Sequence, residues 1–314
     1  MTLSVLIGLS AVMVAVDDGA PLVLITRRDT GEDALPFGPF DPEHHVTFDL
    51  SLRGWVREQT GFELGYVEQL YTFGDKNRDT PDATLASAPP SARVISVGYL
   101  ALTPDAAPTG APFEARWQGW YGYFPWEDHR NGRPAMIDAE LAPHLYTWAA
   151  GDPQRLERAR IAFGLDAARW DEEGVLERYQ LLYEAGLVAE CARDAGLPQP
   201  AVTFGAPLAS DHRRILATAL SRLRGKLKYR PVIFELLPER FTLSALQRTV
   251  EGILGLSLHT QNFRRALDKT GLVAGTGRLE TATGGRPAEL YEFRRDYVRG
   301  IAAPGLATPR RTPD

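Results

Sequence analysis

The run from Thr242 to Phe293 constrains the fold more than any other part of the chain, because it sets two short amphipathic helices before two β-rich segments. Thr242 can cap a helix in which Leu243, Leu246, Val250 and Leu254 recur every three or four positions before Gly255 stops it. A short turn leads to a second helix, Thr260 to Lys269, where Phe263, Ala266 and Leu267 share the inward face. That leaves Thr260, Gln261, Asn262, Arg264, Arg265 and Lys269 on accessible faces. The segments LVAGTGRLE and AELYEF, joined across Gly284-Gly285, predict a β-hairpin with Arg286 at its tip. Two helices around a glycine turn, then a basic hairpin, describe a helix-turn-helix with a wing.

Gln, Asn and Arg can make bidentate contacts to adenine and guanine edges, so the second helix is the candidate base reader. Upstream, Asp211 to Tyr229 predicts a further helix, capped by Ser210-Asp211 and striped by Ile215, Leu216, Leu220, Leu223 and Leu227. Its Arg222, Arg224, Lys226 and Lys228, with Arg230, are expected to meet backbone phosphates or to form a solvated face. Such faces also occur on helix-turn-helix modules that bind proteins, and the charge distribution bears on the choice. Residues 1–210 hold 16 Lys and Arg against 30 Asp and Glu, whereas residues 211–299 hold 17 against 9. An acidic body with a basic C-terminal module places attraction for phosphate where a reader of double-stranded DNA docks.

The 314 residues suit two domains with a helical connector. Leu3 to Val16 is apolar but has no basic residue before it and is too short to cross a bilayer. It reads as a buried strand that turns at Asp17-Asp18-Gly19 into a second strand, Pro21 to Arg27. A lone cysteine, Cys191, forbids an internal disulfide and fits a reducing, cytoplasmic setting with no membrane partner. Leu50, Leu52, Trp55 and Val56 give Asp49 to Gln59 helical spacing, with Gly61 at a C-cap position. Tyr66 to Phe73 and Arg93 to Leu102 read as strands, and Trp117 to Trp126 is strongly aromatic. The expected organisation is an α+β domain over 1–150, a helical connector and linker over 151–209, a winged helix over 210–300 and a frayed tail over 301–314.

The segments LRGKLKYRP (223–231), FTLSALQRTVEGILG (241–255), NFRRALDKTGLV (262–273) and GRPAELYEF (285–293) resemble the Nudix-related regulators of NAD metabolism, the NrtR-like and NadQ-like repressors. EQLYTFGD (68–75) and RVISVGYLAL (93–102) are similar to the matching part of their sensor domain. The resemblance implies a Nudix-like α/β/α sandwich followed by a winged helix. It also implies a homodimeric repressor of NAD-related genes on a pseudo-palindromic operator, released by an adenine nucleotide or NAD-related metabolite acting as effector.

A hydrolytic Nudix helix carries several carboxylates on one face to hold Mg²⁺. Aligned on Thr60-Gly61-Phe62, the Arg-Glu pair of that motif is Gly54-Trp55 here, the Glu-Glu pair is Glu58-Gln59, and the upstream Glu falls at Val46. One carboxylate remains, so loss of hydrolysis is expected, with no catalytic residue, no resident metal and no required cofactor. Asp41, Glu43, His44 and His45 read as a solvated loop. The alternative is an active Mg²⁺-dependent nucleotide-diphosphate hydrolase with an accessory winged helix. A sensor would bind anions through Arg27, Arg28, Arg57, Lys76 and Arg78. Trp120 and Tyr123, among the aromatics of 117–126, either stack on an adenine or pack a core or dimer interface.

Overall fold

The computed structural model describes residues 5–28, 30–75, 93–106, 115–280 and 287–295. Strands β1 (Val5–Asp17) and β2 (Ala20–Arg27) form the expected hairpin, with Asp18 and Gly19 in the left-handed conformation its turn needs. β6 (Arg93–Leu102) runs parallel to β1 from Val5↔Arg93 to Val14↔Leu102, and β5 (Tyr66–Phe73) pairs antiparallel with β6. Two short strands, β3 (Asp33–Ala34) and β4 (Phe37–Pro39), and then β7 (Arg116–Gly119) complete the sheet. Its central path is β3-β2-β1-β6-β5.

β1 and β6 are buried on both faces, which is why their sequences are apolar runs without polar alternation. Leu9, Ala11, Met13, Val97, Tyr99 and Ala101 pack with Leu52 and Val56 of helix α1 (Phe48–Thr60). On the other face Val12, Val14, Leu100 and Leu102 join a cluster that holds Ile215, Leu216, Ala219 and Leu220 of a helix about two-thirds of the way along the chain. That helix is the one expected to open the C-terminal domain. Helices α2 (Ala142–Trp148), α3 (Pro153–Phe163), α4 (Val175–Glu184) and α5 (Ala189–Asp194) precede it, so it is α6, His212–Leu227. It packs on β1, β5, β6 and α4 as the second helical layer of the sandwich. The start expected at residue 210 therefore does not match the packing, since an apolar stripe states that a face is buried but not against what. Asp211 sits at the N-cap as expected, but its carboxylate takes Arg214 instead of a helix N–H.

Helices α3 to α5 span residues 153–194, and α2 lies before them at Ala142–Trp148. The stretch 196–209, read as a linker, is partly core: Phe204, Leu208 and Ala209 are buried. Arg213 holds it in place by donating to the Phe204 carbonyl (2.7 Å), while buried Glu190 accepts from the Leu208 N–H (3.1 Å) and pairs with Arg213.

After a 3₁₀ turn over Val232–Leu236 come β8 (Arg240–Thr242), α7 (Leu243–Leu254), α8 (Thr260–Thr270), β9 (Val273–Glu280) and β10 (Ala288–Phe293). The three strands form a sheet in the order β8-β10-β9 beside the two helices, the winged-helix arrangement. Thr242 caps α7 by accepting from the Ala245 N–H (3.1 Å), and Gly255 ends it in the left-handed conformation, both as read from the sequence. The tail from residue 301 and the hairpin tip lie outside the described residues. No helix among the described residues is long and apolar enough to cross a membrane.

Candidate functional site

α8 buries Phe263 and Leu267, four positions apart, half-buries Ala266 and Thr270, and exposes its other residues. Thr260, Gln261, Asn262, Arg264, Arg265 and Lys269 are all exposed. Arg264, Arg265 and Lys269 form no hydrogen bond or ion pair among the described residues, so the face carries unmatched positive charge. The turn before it is locked from α7: Gln247 donates to the Leu258 carbonyl (2.9 Å) and Thr260 (3.4 Å), and Glu251 accepts from the Leu258 N–H (2.8 Å). A fixed turn matters because side chains read base edges only when the helix enters the groove at one angle. Arg286, expected at the wing tip, lies outside the described residues.

The basic residues of α6 go elsewhere. Arg224, expected at a phosphate, is fully buried: its guanidinium donates to Glu127 (2.6 Å) and to the carbonyls of Glu172 (2.9 Å) and Ile253 (2.8 Å). This corrects the sequence reading, and the cause is the burial of α6 in the sandwich. Lys226 is bound to Glu68 and to the Tyr66 hydroxyl (2.8 Å), and Lys228 sits between Glu172 (3.0 Å) and Glu173. Both lysines are thus neutralised within the body. Lys228 also occupies the one cluster of three acidic ligand groups found among the described residues, Asp171-Glu172-Glu173.

The second candidate site is a cleft of about 500 Å³ over α1, lined by His45, Gly54, Trp55, Arg57 and Glu58. It lies on the positions expected from the sequence to match the metal-binding face of a Nudix helix. Trp55 is anchored by donating to the Pro39 carbonyl (2.9 Å), and its ring leaves no room for a side chain at residue 38, where an added Cβ would lie 2.3 Å away. Buried Gln59 clamps the Phe37 backbone from both sides, accepting its N–H (3.2 Å) and donating to its carbonyl (2.6 Å). The Gln59 side chain is therefore spent on holding the β4 strand in place. Glu58 is the carboxylate that lines the cleft. His45 and Ser51 hydrogen-bond (3.0 Å), and Asp41 is held by His44, whose hydrogen bond keeps the carboxyl below its ordinary range.

Of the anion-binding candidates, Arg57 lines the cleft and is exposed, with Glu63 3.8 Å away. Arg27 and Arg28 do not line it; Arg28 donates to Ser210 (3.1 Å) and lies over the Phe37 ring. Lys76 and Arg78 lie outside the described residues. Trp120 and Tyr123, offered as stacking partners, belong to the core instead, Trp120 being wholly buried and burial pushing the Tyr123 phenol up to about 12. The packing reading of those aromatics is the one the fold takes.

Sequence reasoning missed the join between the two sites. Glu127 is fully buried and binds Arg178 of α4 (2.5 and 2.9 Å) as well as Arg224 of α6. Arg224 then reaches the Ile253 carbonyl at the end of α7, and Tyr121 donates to the Gly252 carbonyl (2.7 Å). The His129 N–H donates to the Gly255 carbonyl (2.8 Å), and Arg248 of α7 pairs with Asp18 of the β1–β2 turn (3.0 Å). A Cβ on Gly255 would lie 2.3 Å from the Glu127 carbonyl oxygen, so the helix end and the sandwich touch backbone to backbone. The sequence signal for it was slight: Glu127 and Asp128 directly follow the bulky aromatics of 117–126.

Acid should loosen this join. The His129 ring packs on Trp170 (4.1 Å between centroids), and burial pushes its pKa down to about 4, against the opposing pull of Glu127. His212, fully buried, accepts the Leu35 N–H on Nδ1 (3.0 Å) and is likewise held well below its ordinary value. A depressed histidine contributes fully above the unfolded value near 6.5 and loses that contribution as the pH falls toward the folded value. The expected result for His129 is a loss of about 1–2 kcal/mol between pH 7.5 and 5. Urea unfolding of His129→Asn beside the parent at both pH values checks it, and an equal pH dependence in the two would remove His129 as the cause.

Comparison with known proteins places these features. Residues 233–293 match the family model of the NrtR DNA-binding winged helix domain. The chain carries an NrtR-type winged helix. That domain begins after α6, in agreement with the packing. Over 91 residues, 29% of this chain, it is 42% identical to the ADPR responsive transcriptional repressor NtrR of Acinetobacter baylyi. The matched region spans 36% of that curated relative's length. The fold of the whole chain is similar to Shewanella oneidensis NrtR complexed with a 27mer DNA, at a TM-score of 0.57 and 22% identity, covering 97% of this chain and 99% of the other. A MutT/nudix family protein from Enterococcus faecalis is similar at a TM-score of 0.54 and 16% identity, covering 94% and 88% of the two chains. A Nudix-like sandwich joined to an NrtR-type winged helix is thus the architecture of this chain.

Proposed function

We propose that this chain is a cytoplasmic, ligand-responsive transcriptional repressor of NAD-related genes. It binds a pseudo-palindromic operator as a homodimer through α8 and the wing, and ADP-ribose or a related adenine nucleotide in the α1 cleft releases it. The observation that carries the reading is the α8 face: six exposed polar or cationic side chains on a helix whose entry turn is locked, within a domain matched to a DNA-binding family. The relative's description as ADPR responsive supports the effector class. Coupling runs through the direct join of the β1–β2 turn and residues 121–130 to the end of α7, since a shift of the sandwich there must move the helix-turn-helix. The loss of Nudix hydrolysis is part of the proposal, supported by Gln59 clamping Phe37 and by Glu58 as the cleft's carboxylate.

The deciding experiment is a gel shift on the DNA upstream of the chain's own gene and of neighbouring NAD-related genes, with and without ADP-ribose. A specific complex dissolved by the nucleotide is the expected result; no specific complex at low salt would sink the reading. In calorimetry, Arg57→Ala should weaken ADP-ribose binding by about tenfold, the size of one charge-assisted contact to a phosphate. Unchanged binding would remove Arg57 from the site. Mg²⁺-dependent release of AMP from ADP-ribose should stay at background, and turnover would restore the hydrolase alternative.

A further inference from the structure

A second cleft, of about 440 Å³, lies at the seam between the sandwich and the winged helix, away from α1. Tyr66 of β5 and Lys226 at the end of α6 form one wall; Val232 of the 3₁₀ turn and Phe293 of β10 form another, with Arg230 and Arg295 at the rim. Its volume falls in the range of small-molecule sites, roughly 300–1,000 Å³. Phe293 is fixed by stacking on Phe234 (4.1 Å, 10°), and Tyr66 is fixed by its bond to Lys226, so the aromatic walls are preformed.

The lining carries three cations, Lys226, Arg230 and Arg295, against one acid, Glu235. Lys226 is matched by Glu68, and Arg295 lies 3.7 Å from Glu235 in a loose pair. The Arg230 guanidinium has no partner among the described residues. A tyrosine and a phenylalanine in the lining, with an unmatched guanidinium and a second, weakly held one at the rim, are complementary to a planar ring bearing an anionic group. We propose that this seam cleft is a second small-molecule site, selective for a compact aromatic carboxylate or phosphate. A ligand seated there touches both the sandwich and the winged helix.

The site can be tested without reference to DNA, so its failure is separate from failure of the repressor reading. Calorimetric titration of the full chain at low ionic strength would use 1-naphthoate as the aromatic anion and inorganic phosphate as an anion without a ring. The expected result is naphthoate binding that weakens about tenfold or more in Arg230→Ala/Arg295→Ala and is unchanged in Arg57→Ala. Both arginines are exposed, so their removal leaves the core intact. Absence of naphthoate binding, binding indifferent to the double substitution, or phosphate binding as tightly as naphthoate would each overturn the proposal.

Discussion

Replacing Arg264 and Arg265 together by alanine is expected to lower affinity for the specific DNA by roughly 100- to 1,000-fold while leaving the fold intact. Both side chains are exposed on α8 and lack a hydrogen-bond or ion-pair partner among the described residues, so nothing inside the protein depends on them. A bidentate contact to a base edge is worth about 1–3 kcal/mol, so two such losses total about 2–6 kcal/mol, and the expected range lies near the middle of that span. The salt dependence separates the two ways these residues can act. If both meet phosphates, the slope of log K against log salt should fall by about two; if both read bases, the slope should hold while sequence preference relaxes. Fluorescence anisotropy across a salt series, on specific and scrambled duplexes, measures both. Affinity within threefold of the parent would show that α8 does not face the DNA.

The largest effect on stability is expected at Glu127. Burial alone would push its carboxyl up, but the Arg178 and Arg224 guanidiniums against it hold it below the ordinary range. Glu127→Ala would leave both guanidiniums buried beside a void. Removing one member of a buried charge cluster costs about 3–5 kcal/mol, because the remaining charge has lost both solvent and partner. For a chain of this size that corresponds to a fall in Tm of about 5–8 °C. The two cations are not wholly abandoned: Arg178 lies 3.8 Å from the Trp170 ring centre and donates to the Ala162 and Asp171 carbonyls, and Arg224 keeps Ile253 and Glu172. The smaller step Glu127→Gln should therefore cost less than the alanine. Amide exchange at the end of α7 should also quicken, since the Arg224 link to Ile253 shares the cluster. A Tm within 2 °C of the parent would mean that the cluster adds little.

The two sites were legible to different degrees. α8 could be read almost in full, because Phe263 and Leu267 mark one buried stripe and every other candidate on the helix falls outside it. The α1 cleft was legible only through alignment of α1 with a known motif, which located Gly54, Trp55 and Glu58. That Gln59 would turn inward to the Phe37 backbone was not.

By itself the sequence determined the local elements: the doubly buried strands β1 and β6, the caps at Thr242 and Gly255, the inner and outer faces of α7 and α8, and the charge contrast between the two parts of the chain. These rest on periodicity and turn chemistry, which act over a few residues. Only the tertiary structure decided that α6 lies on the sheet, that Arg224 is an internal ligand of Glu127 and not a phosphate contact, and that Trp120 and Tyr123 belong to the core. Glu127 and Arg224 stand 97 positions apart, and no local pattern encodes such a pairing. A helix carries the same amphipathic stripe whichever surface it covers. The choice of partner is made by the packing of the whole chain.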